Sequence, residues 1–444
     1  MSEDTVFALS SPVGGAIAIA RITGSGAYAA LGRVFRCKNA PEHRVMNYGH
    51  VIDPESGETI DSAMACFLKA PATYTGEDMA EIYIHGSRVI AKRTLSVLSR
   101  FLRPAEGGEF TKRAFMNGKL DLSQAEAVMD VISSVTEQGA RMAEEQLAGS
   151  IGSGIKDIED RLIDILSGVE AALDYPEELE EDTVSALGSE LSPVIEKLDY
   201  LIRGGNAARI FREGASVAIL GAPNAGKSSL FNALMGTERA IVTSIPGTTR
   251  DTLEETMDIC GAPVRITDTA GIREGADEAE RIGVERAKKA GERADLILIV
   301  IDGTKPMDEE SRALINAAKR GEYRKCLILF TKADKQGFGT DESCAEFAPI
   351  AVSSVTGEGI EELKERMAAL LLTKEAESAL VTNSRHIHAL AEAKAALETA
   401  DAAMGTDLAA ADIRTALYAL GQITGREVTA DVIERIFSRF CVGK

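Results

Sequence analysis

Short runs of alternating apolar and polar residues, separated by Gly and Pro, fill the first part of the chain. The clearest runs are AIAIARI, which starts at Ala16, and AEIYIHG, which starts at Ala80. Period-two alternation bounded by turn residues predicts half-buried strands, and a helix-like stretch follows at residues 87–102. We therefore predict a compact α+β domain over residues 1–119.

From Leu122 onward the apolar residues recur at steps of three and four, which predicts long helices with one buried face. The main stripe is Ile155, Ile158, Leu162, Ile165, Val169 and Leu173. Helical periodicity returns near the end of the chain, at Leu390, Leu397 and Met404 and then at Val432, Ile436 and Phe440. These patterns predict an all-α helical domain in two parts, residues 120–212 and 373–444. The acidic stretch PEELEED, from Pro176, is interpreted as a solvated connection or a helix end.

A different pattern lies between those two parts. The run ASVAIL at residues 215–220 predicts a strand, and SLFNALM at 229–235 predicts a helix. We expect an α/β domain over residues 213–372, inserted into the helical domain. Insertion is tolerated because the ends of such a unit can lie close together. Movements of the inserted domain would then act on the helices at both of its ends.

Composition narrows the class of protein. The chain has 444 residues, of which 45% are hydrophobic, enough for two to four domains with separate cores. The N-terminus lacks a basic start followed by an apolar stretch, and no run is long enough for a membrane span, so we expect a soluble, cytoplasmic protein. The 6 Cys are scattered, which argues against a zinc site or a disulfide framework.

The net charge of −20 disfavours general nucleic-acid binding. The charge is uneven, however, because residues 1–120 hold 14 Lys and Arg against 12 Asp and Glu, whereas residues 121–212 hold 7 against 20. Any RNA contact must therefore be local. The candidate side chains are Arg88, Lys92, Arg93, Arg100 and Arg103, for which a solvated helix face is the alternative interpretation.

The string GAPNAGKS, from Gly221, fits the phosphate-binding pattern G-x-x-x-x-G-K-[ST]. In this pattern backbone N–H groups surround the phosphates, Lys227 reaches the outer phosphates and Ser228 binds Mg²⁺. The predicted strand and helix lie on either side of it, as that geometry requires.

Three further strings complete a nucleotide pocket. Thr249, in PGTTRD, is placed to close over the terminal phosphate and to complete the magnesium shell. Asp268, in DTAG, can bind Mg²⁺ through water, and Gly271 offers a backbone N–H to the terminal phosphate. Asp334, in TKAD, can accept both the ring N–H and the exocyclic amine of guanine, which excludes adenine.

The usual pattern at the last string is N-K-x-D, and Thr331 replaces the Asn, which affects one contact near the purine. Lys332 is expected to pack its stem over the ring. The predicted GTP-contacting residues are Asn224, Ala225, Gly226, Lys227, Ser228, Ser229, Thr243, Ser244, Ile245, Pro246, Gly247, Thr248, Thr249, Asp268, Thr269, Ala270, Gly271, Thr331, Lys332, Ala333, Asp334, Ser353, Ser354 and Val355.

The residue after D-x-x-G is Ile272, which cannot orient the attacking water as the Gln of Ras-like proteins does. Two other ways of promoting hydrolysis remain possible. Asn224 can help to hold a monovalent cation against the phosphates, together with carbonyls of residues 243–248. Glu280 can orient water through hydrogen bonds, although a solvated carboxylate at a helix start is the simpler interpretation of the residue by itself.

Strings outside the nucleotide site resemble one family along the whole chain: MnmE, also called TrmE, the tRNA uridine-modification GTPases. They are YTGEDMAEIYIHG from Tyr74, FTKRAFMNGKLDLSQAEA from Phe110, and the C-terminal FCVGK. The resemblance implies that the chain acts with the flavoprotein MnmG (GidA) to install an aminomethyl-type group at the wobble uridine of certain tRNAs. It also implies Mg²⁺, K⁺ and a reduced folate, 5-formyl- or methylene-tetrahydrofolate, with FAD only in the partner.

The resemblance further implies site residues. Folate contacts fall on Arg21, Glu81, Lys119 and Lys444, K⁺ ligands on Asn224, Thr243, Ile245 and Thr248, and catalytic roles on Glu280, Arg273 and Asn224. The N-terminal domain is expected to form a homodimer, and a heterotetramer-type complex with MnmG and tRNA binding are expected as well. Cys441 matches a cysteine of the family, but a small buried residue is the simpler interpretation.

Two other functions stay open at this point. One is a regulatory switch GTPase that binds RNA or the ribosome without base chemistry. The other is a folate-dependent transferase that acts on a small amine, with GTP only regulating it. Titration with a reduced folate would discriminate the first alternative, and analysis of wobble nucleosides would discriminate the second.

Overall fold

The computed structural model describes residues 4–237, 256–267, 294–377, 379–401, 405–438 and 440–443. Contacts between residues divide the chain into two units. The first unit combines residues 1–129 with residues 421–444, and the second unit contains residues 130–420. The first unit is therefore built from sequence at both ends of the chain.

A seven-stranded sheet forms the centre of the first unit, with the strand order β3-β4-β5-β6-β2-β1-β7. Its strands are β1 Val6–Leu9, β2 Ile17–Thr23, β3 Phe35–Cys37, β4 Met46–Ile52, β5 Thr59–Leu68, β6 Met79–His85 and β7 Arg103–Pro104. The pairing is antiparallel except between β1 and β7. The two runs with the clearest alternation are β2 and β6, as predicted, and they pair with each other.

Helices cover one face of this sheet. They are α1 Ala27–Val34 and α2 Arg88–Leu98, and α3 Glu109–Met116 and α4 Leu122–Ser133 follow in the chain. The core on the covered face includes Ala20 and Ile22 of β2 and Leu31 of α1. The predicted helix at 87–102 is shorter than expected, because Ser87 caps α2 through a bond from Val89 N and the helix ends at Leu98.

The C-terminal segment is part of the first unit. Its helix, α14, is Ala430–Phe437, so the prediction that the last helix extends through Phe440 is wrong. Phe440 is nevertheless buried, together with Phe437 and Leu122. The segment lies against two glycines: Gly107 forms a β-bridge with Val442, and Gly108 N donates to Cys441 O at 3.2 Å.

An ion network holds the start of α3. Arg113, whose side chain is only 8% exposed, forms ion pairs with Asp4, Glu77 and Glu109, at 3.0, 3.1 and 2.7 Å. Arg103 also pairs with Glu109, at 2.7 Å. Burial alone would raise the pKa of Glu109, but the two arginines outweigh it and lower that pKa. A buried charge that is paired on several sides is costly to leave unpaired, so this network fixes the segment.

Helices form the ends of the second unit. They are α5 Glu137–Leu147, α6 Ser150–Asp174, α7 Pro176–Glu213, α11 Lys374–Glu377, α12 Ser384–Asp401 and α13 Thr406–Thr424. The two longest are α6 and α7. The predicted stripe on α6 is buried from Ile155 to Val169, whereas Leu173 is 39% exposed, so its place in the stripe is wrong. The acidic stretch after Pro176 begins α7, with Pro at the first helical positions, in agreement with the helix-end interpretation. Met404 lies outside the described residues.

A six-stranded sheet lies in the chain between α7 and α11, with the order β13-β12-β11-β8-β10-β9. Its strands are β8 Ala215–Leu220, β9 Thr256–Ile259, β10 Ala262–Thr267, β11 Leu296–Asp302, β12 Cys326–Thr331 and β13 Ile350–Val352. All pairs are parallel except β9 with β10. Among the described residues of this region, the α-helices are α8 Lys227–Thr237, α9 Glu309–Lys319 and α10 Ile360–Leu371. Two hydrophobic cores pack on this sheet, which is typical of α/β domains with helices on both faces.

Candidate functional site

The phosphate-loop motif lies where the sequence predicts it, between β8 and α8. Gly221 has φ +154°, and a Cβ there would lie 2.2 Å from Val300 O, so only glycine fits. Gly226 has φ +99° and Asn224 has φ +63°. The loop leads directly into α8, so Ser228 and Ser229 lie in the first turn of a helix whose N-terminus favours anions.

Lys227 lies within this loop. Its Nζ donates to Gly221 O at 2.6 Å and to Ala222 O at 2.9 Å. The side chain thus follows the loop that is expected to surround the phosphates. A cation in this place can neutralise the outer phosphates of a nucleotide.

The base-side segment begins at Thr331, at the end of β12, and contacts the phosphate loop. Thr331 is 2% exposed, and its Oγ1 lies 2.6 Å from Ala225 O and 3.1 Å from Ile301 O. The N-K-x-D pattern predicts a contact near the purine at this position. In the structure its hydroxyl instead holds the phosphate loop against the end of the central strands.

Lys332 is also tied to the phosphate loop. Its Nζ lies 2.5 Å from Asp302 Oδ2 and donates to Asn224 O at 3.2 Å. Burial would raise the pKa of Asp302, but hydrogen bonds from Lys332 and Thr304 outweigh it and lower the pKa to about 2. Sequence reasoning missed Asp302, since it belongs to none of the nucleotide-binding strings.

Asp334 is held by the loop after β13. Ser353 Oγ donates to Asp334 Oδ1 at 2.6 Å, and this bond lowers the pKa of Asp334. Ser353 is fully buried and its Oγ also accepts from Val355 N, at 3.3 Å. The structure therefore brings Asp334 and residues 353–355 together, and the bond from Ser353 favours the ionised form of the carboxylate.

Several predicted site residues lie outside the described residues. They are Thr243, Ser244, Ile245, Pro246, Gly247, Thr248, Thr249, Asp268, Thr269, Ala270, Gly271, Arg273, Glu280 and Lys444. Within the described ranges, no group of three His, Cys, Asp or Glu side chains is arranged to hold a metal ion. Of the predicted ion ligands, the structure describes Ser228 and Asn224, whose hydroxyl and amide oxygens are the hard donors that Mg²⁺ and K⁺ accept.

A second cluster lies on the sheet of the first unit, on the face away from α1 and α2. Arg21 of β2 is opposite Glu81 of β6, and Arg21 Nε donates to Glu81 Oε1 at 2.8 Å. Tyr83 OH donates to Glu81 Oε2 at 2.5 Å. Burial and the Glu81 carboxylate raise the pKa of Tyr83 to about 12. Both oxygens of Glu81 are thus oriented, and the Arg21 guanidinium lies 5.8 Å from the centre of the Phe110 ring.

Lys119 lies between α3 and α4 and contacts the loop that precedes β6. Its Nζ donates to Pro71 O at 3.2 Å, and its stem is near Gly76. In the same loop Tyr74 OH lies 2.9 Å from Thr111 Oγ1, next to Phe110 in the chain. The loop therefore links the neighbourhood of Lys119 to the aromatic ring under Arg21. Sequence reasoning missed Tyr83, although its period-two spacing from Glu81 places both on one face.

The candidate RNA-contacting cations are largely paired within the first unit. Arg93 pairs with Glu58 at 2.8 Å, Arg100 with Asp53 at 2.9 Å and Arg103 with Asp4 at 2.8 Å. This pairing favours the interpretation that these three arginines belong to a solvated surface rather than to an RNA contact. Among the helices that the structure describes, none combines the length and the apolar character needed to cross a membrane.

Comparison with known proteins gives the same relationship over the whole chain. A family model described as the TrmE N-terminus of GTP-binding proteins matches residues 5–119, and a model of the MnmE helical domain matches residues 122–441. A protein of Thermus thermophilus named tRNA modification GTPase MnmE is 42% identical over 100% of this chain and 99% of its own length. Proteins of the same name from Acetivibrio thermocellus and Natranaerobius thermophilus are 41% and 38% identical, each over 100% of this chain and over 99% and 100% of their own lengths.

Proposed function

The chain belongs to the MnmE family of tRNA modification GTPases, and from this premise we propose the reaction that it supports. With the flavoprotein MnmG (GidA), it forms an aminomethyl-type, carboxymethylaminomethyl group at the wobble uridine of certain tRNAs. The observation that carries this proposal is the match of about 40% identity over the full length of relatives that are named tRNA modification GTPase MnmE.

The proposed GTP site combines the described loop with predicted residues beyond it. Ser228 and Thr249 would hold Mg²⁺, and Asn224, Thr243, Ile245 and Thr248 would hold K⁺. These ions supply positive charge where negative charge grows during hydrolysis. Lys227 binds the outer phosphates, Asp334 selects guanine, and Glu280 with Arg273 orients the attacking water.

The proposed folate site is the cluster on the open face of the first sheet. Glu81 accepts the pterin N–H groups, while Arg21, Lys119 and Lys444 bind oxygens of the folate or its glutamate tail. A bound reduced folate, 5-formyl- or methylene-tetrahydrofolate, supplies the one-carbon unit. The fixed carboxylate of Glu81, held on both oxygens, supports this assignment because an oriented acceptor pair matches paired N–H donors.

The same face supports the proposed homodimer. On this face Ile17 of β2, Met46 and Tyr48 of β4 and Met64 of β5 are 61%, 44%, 68% and 44% exposed, with β6 between β5 and β2. An apolar patch of this kind is typical of a protein interface. We propose domain boundaries at 1–119, 120–212, 213–372 and 373–444, a cytoplasmic location, and assembly with MnmG and tRNA.

Analysis of wobble nucleosides tests this function. Cells that lack the protein should accumulate unmodified wobble uridine, and the wild-type chain should restore the modification. The Glu81→Gln variant should fail to restore it while retaining GTP hydrolysis, since the two sites are on different sheets. Normal modification in the deletion strain would instead support a regulatory switch GTPase without base chemistry.

Hydrolysis in K⁺ and in Na⁺ at equal ionic strength tests the cation. We expect faster turnover in K⁺ for the wild-type protein and a loss of this difference in Asn224→Ala. Equal rates for the wild-type protein in both salts would remove K⁺ from the proposal.

A further inference from the structure

Asp302 ends the central strand β11 of the nucleotide-binding sheet, and its carboxylate bonds to Thr304, two residues on, and to Lys332, 30 positions on. Its Oδ1 accepts from Thr304 Oγ1 at 2.6 Å and from Thr304 N at 3.0 Å. Its Oδ2 lies 2.5 Å from Lys332 Nζ. The side chain is only 13% exposed, so the carboxylate is fixed on both oxygens and largely shielded from water.

Lys332 transmits this fixed position to the phosphate loop. The ammonium that Asp302 holds also donates to Asn224 O, a residue 108 positions earlier in the chain. Lys332 and Asn224 both have positive φ, +65° and +63°, which is uncommon for residues other than glycine. Such backbone angles persist only where surrounding bonds hold them, and the Lys332 ammonium joins the two strained positions.

We propose that Asp302 is a positioning residue for nucleotide binding, which acts through Lys332 to hold the Asn224 peptide of the phosphate loop. The stem of Lys332 is expected to lie over the purine, so this one side chain would position both the base and the phosphate loop. In the proposed function Asp334 selects the base, and Ser353 Oγ donates to its carboxylate. Asp302 therefore governs how tightly a purine nucleotide binds, and Asp334 governs which purine is bound.

This division of roles predicts distinct effects on two ligands. In Asp302→Asn the side chain keeps its shape but loses the charge that holds the ammonium. Loss of one charge-assisted hydrogen bond should weaken binding of GDP about 10-fold. Binding of inosine diphosphate, which lacks the exocyclic amine, should weaken by the same factor. In Asp334→Ala the ratio of the two affinities should change instead.

A double-mutant cycle tests whether Asp302 acts through Lys332. Lys332→Met keeps an apolar stem and removes the ammonium. Dissociation constants are measured with fluorescent GDP for the full-length wild-type protein, Asp302→Asn, Lys332→Met and the double variant. We expect Asp302→Asn to have no further effect in the Lys332→Met background, because the bond that it supports is already absent.

Asp341 is the matched control, since its carboxylate also accepts from a nearby backbone N–H, that of Ser343 at 2.9 Å. Asp341→Asn should leave GDP affinity unchanged. Amide hydrogen exchange of residues 221–227 in nucleotide-free protein gives a second readout, and it should increase in both Asp302→Asn and Lys332→Met.

Two results would overturn the inference: GDP affinity of Asp302→Asn equal to wild type, or effects of the two substitutions that simply add. A change in the ratio of GDP to inosine diphosphate affinity in Asp302→Asn would also count against it, since Asp302 would then act on base choice. If the wild-type protein bound no GDP, the assignment as a GTPase would fail, and this outcome is distinct from the others.

Discussion

Thr331→Val removes the bond that joins the base-side segment to the phosphate loop and keeps the shape of the side chain. The Thr331 hydroxyl is 2.6 Å from Ala225 O, and the residue is 2% exposed, so water cannot replace the lost donor. A methyl group cannot approach a carbonyl oxygen this closely, so the loop must also shift. Leaving a buried acceptor unpaired costs about 1–3 kcal/mol. Because part of this cost is relieved when the empty loop relaxes, we expect GDP affinity to fall about 5- to 30-fold, which corresponds to about 1–2 kcal/mol.

Nucleotide affinity is a better measure of this change than global unfolding, because a chain with two units need not unfold in one step. Titration with fluorescent GDP should give the predicted loss for Thr331→Val. Thr331→Ser is the matched control: it keeps the hydroxyl, loses only a methyl group, and should bind within about threefold of wild type. If Thr331→Val binds GDP as tightly as wild type while Thr331→Ser binds GDP more weakly, the methyl contact matters rather than the hydrogen bond, and the reasoning fails.

Three other changes test the remaining structure. Ser353→Ala should weaken GDP binding and raise the pKa of Asp334 toward its usual value, as measured by the pH dependence of affinity between pH 3 and 7, taken as roughly the range in which an Asp titrates. Gly108→Ala should destabilise the C-terminal segment by about 1 kcal/mol or more, because Gly108 has φ +68° and a Cβ there would lie 2.8 Å from Phe437 O. Limited proteolysis should then show faster cleavage after residue 421. The pKa of Glu109 is lowered in the folded protein, so its ionised carboxylate stabilises the fold at pH values above its unfolded pKa near 4.5. This stabilisation is lost as the pH falls through the folded pKa. The difference in melting temperature between wild type and Glu109→Gln should therefore shrink below about pH 4.5.

Elements with local signals were predicted well from the sequence. The strand at 215–220 and the helix after the phosphate loop follow directly from periodicity and motif, and both are confirmed. The apolar stripe of α6 is buried except at Leu173, which is one residue from the end of the helix. Periodicity reports which face of a helix is apolar, but it does not report where the neighbouring element stops covering that face.

Contacts between distant parts of the chain could not be predicted in this way. Asp302 and Lys332 are joined across 30 positions, and no motif includes Asp302. Three of the five candidate RNA-contacting cations are paired with carboxylates, which charge counting cannot reveal. Phe440 lies beyond the end of α14 and is buried against Leu122 and Phe437, close to Gly108, since the packing of a chain end depends on tertiary neighbours.

The first unit is built from both ends of the chain, and this arrangement has a consequence for biosynthesis. Residues 130–420 separate its two parts, a stretch of 291 residues (420 − 130 + 1). At ~5–20 residues per second, a ribosome needs about 15–60 s to translate that stretch. During this delay the C-terminal segment that packs at Gly107 and Gly108 has not been synthesised, so that surface stays exposed while the second unit can already fold. The nascent chain is thus exposed to chaperones and proteases at one identifiable place until the last helix emerges and completes the fold.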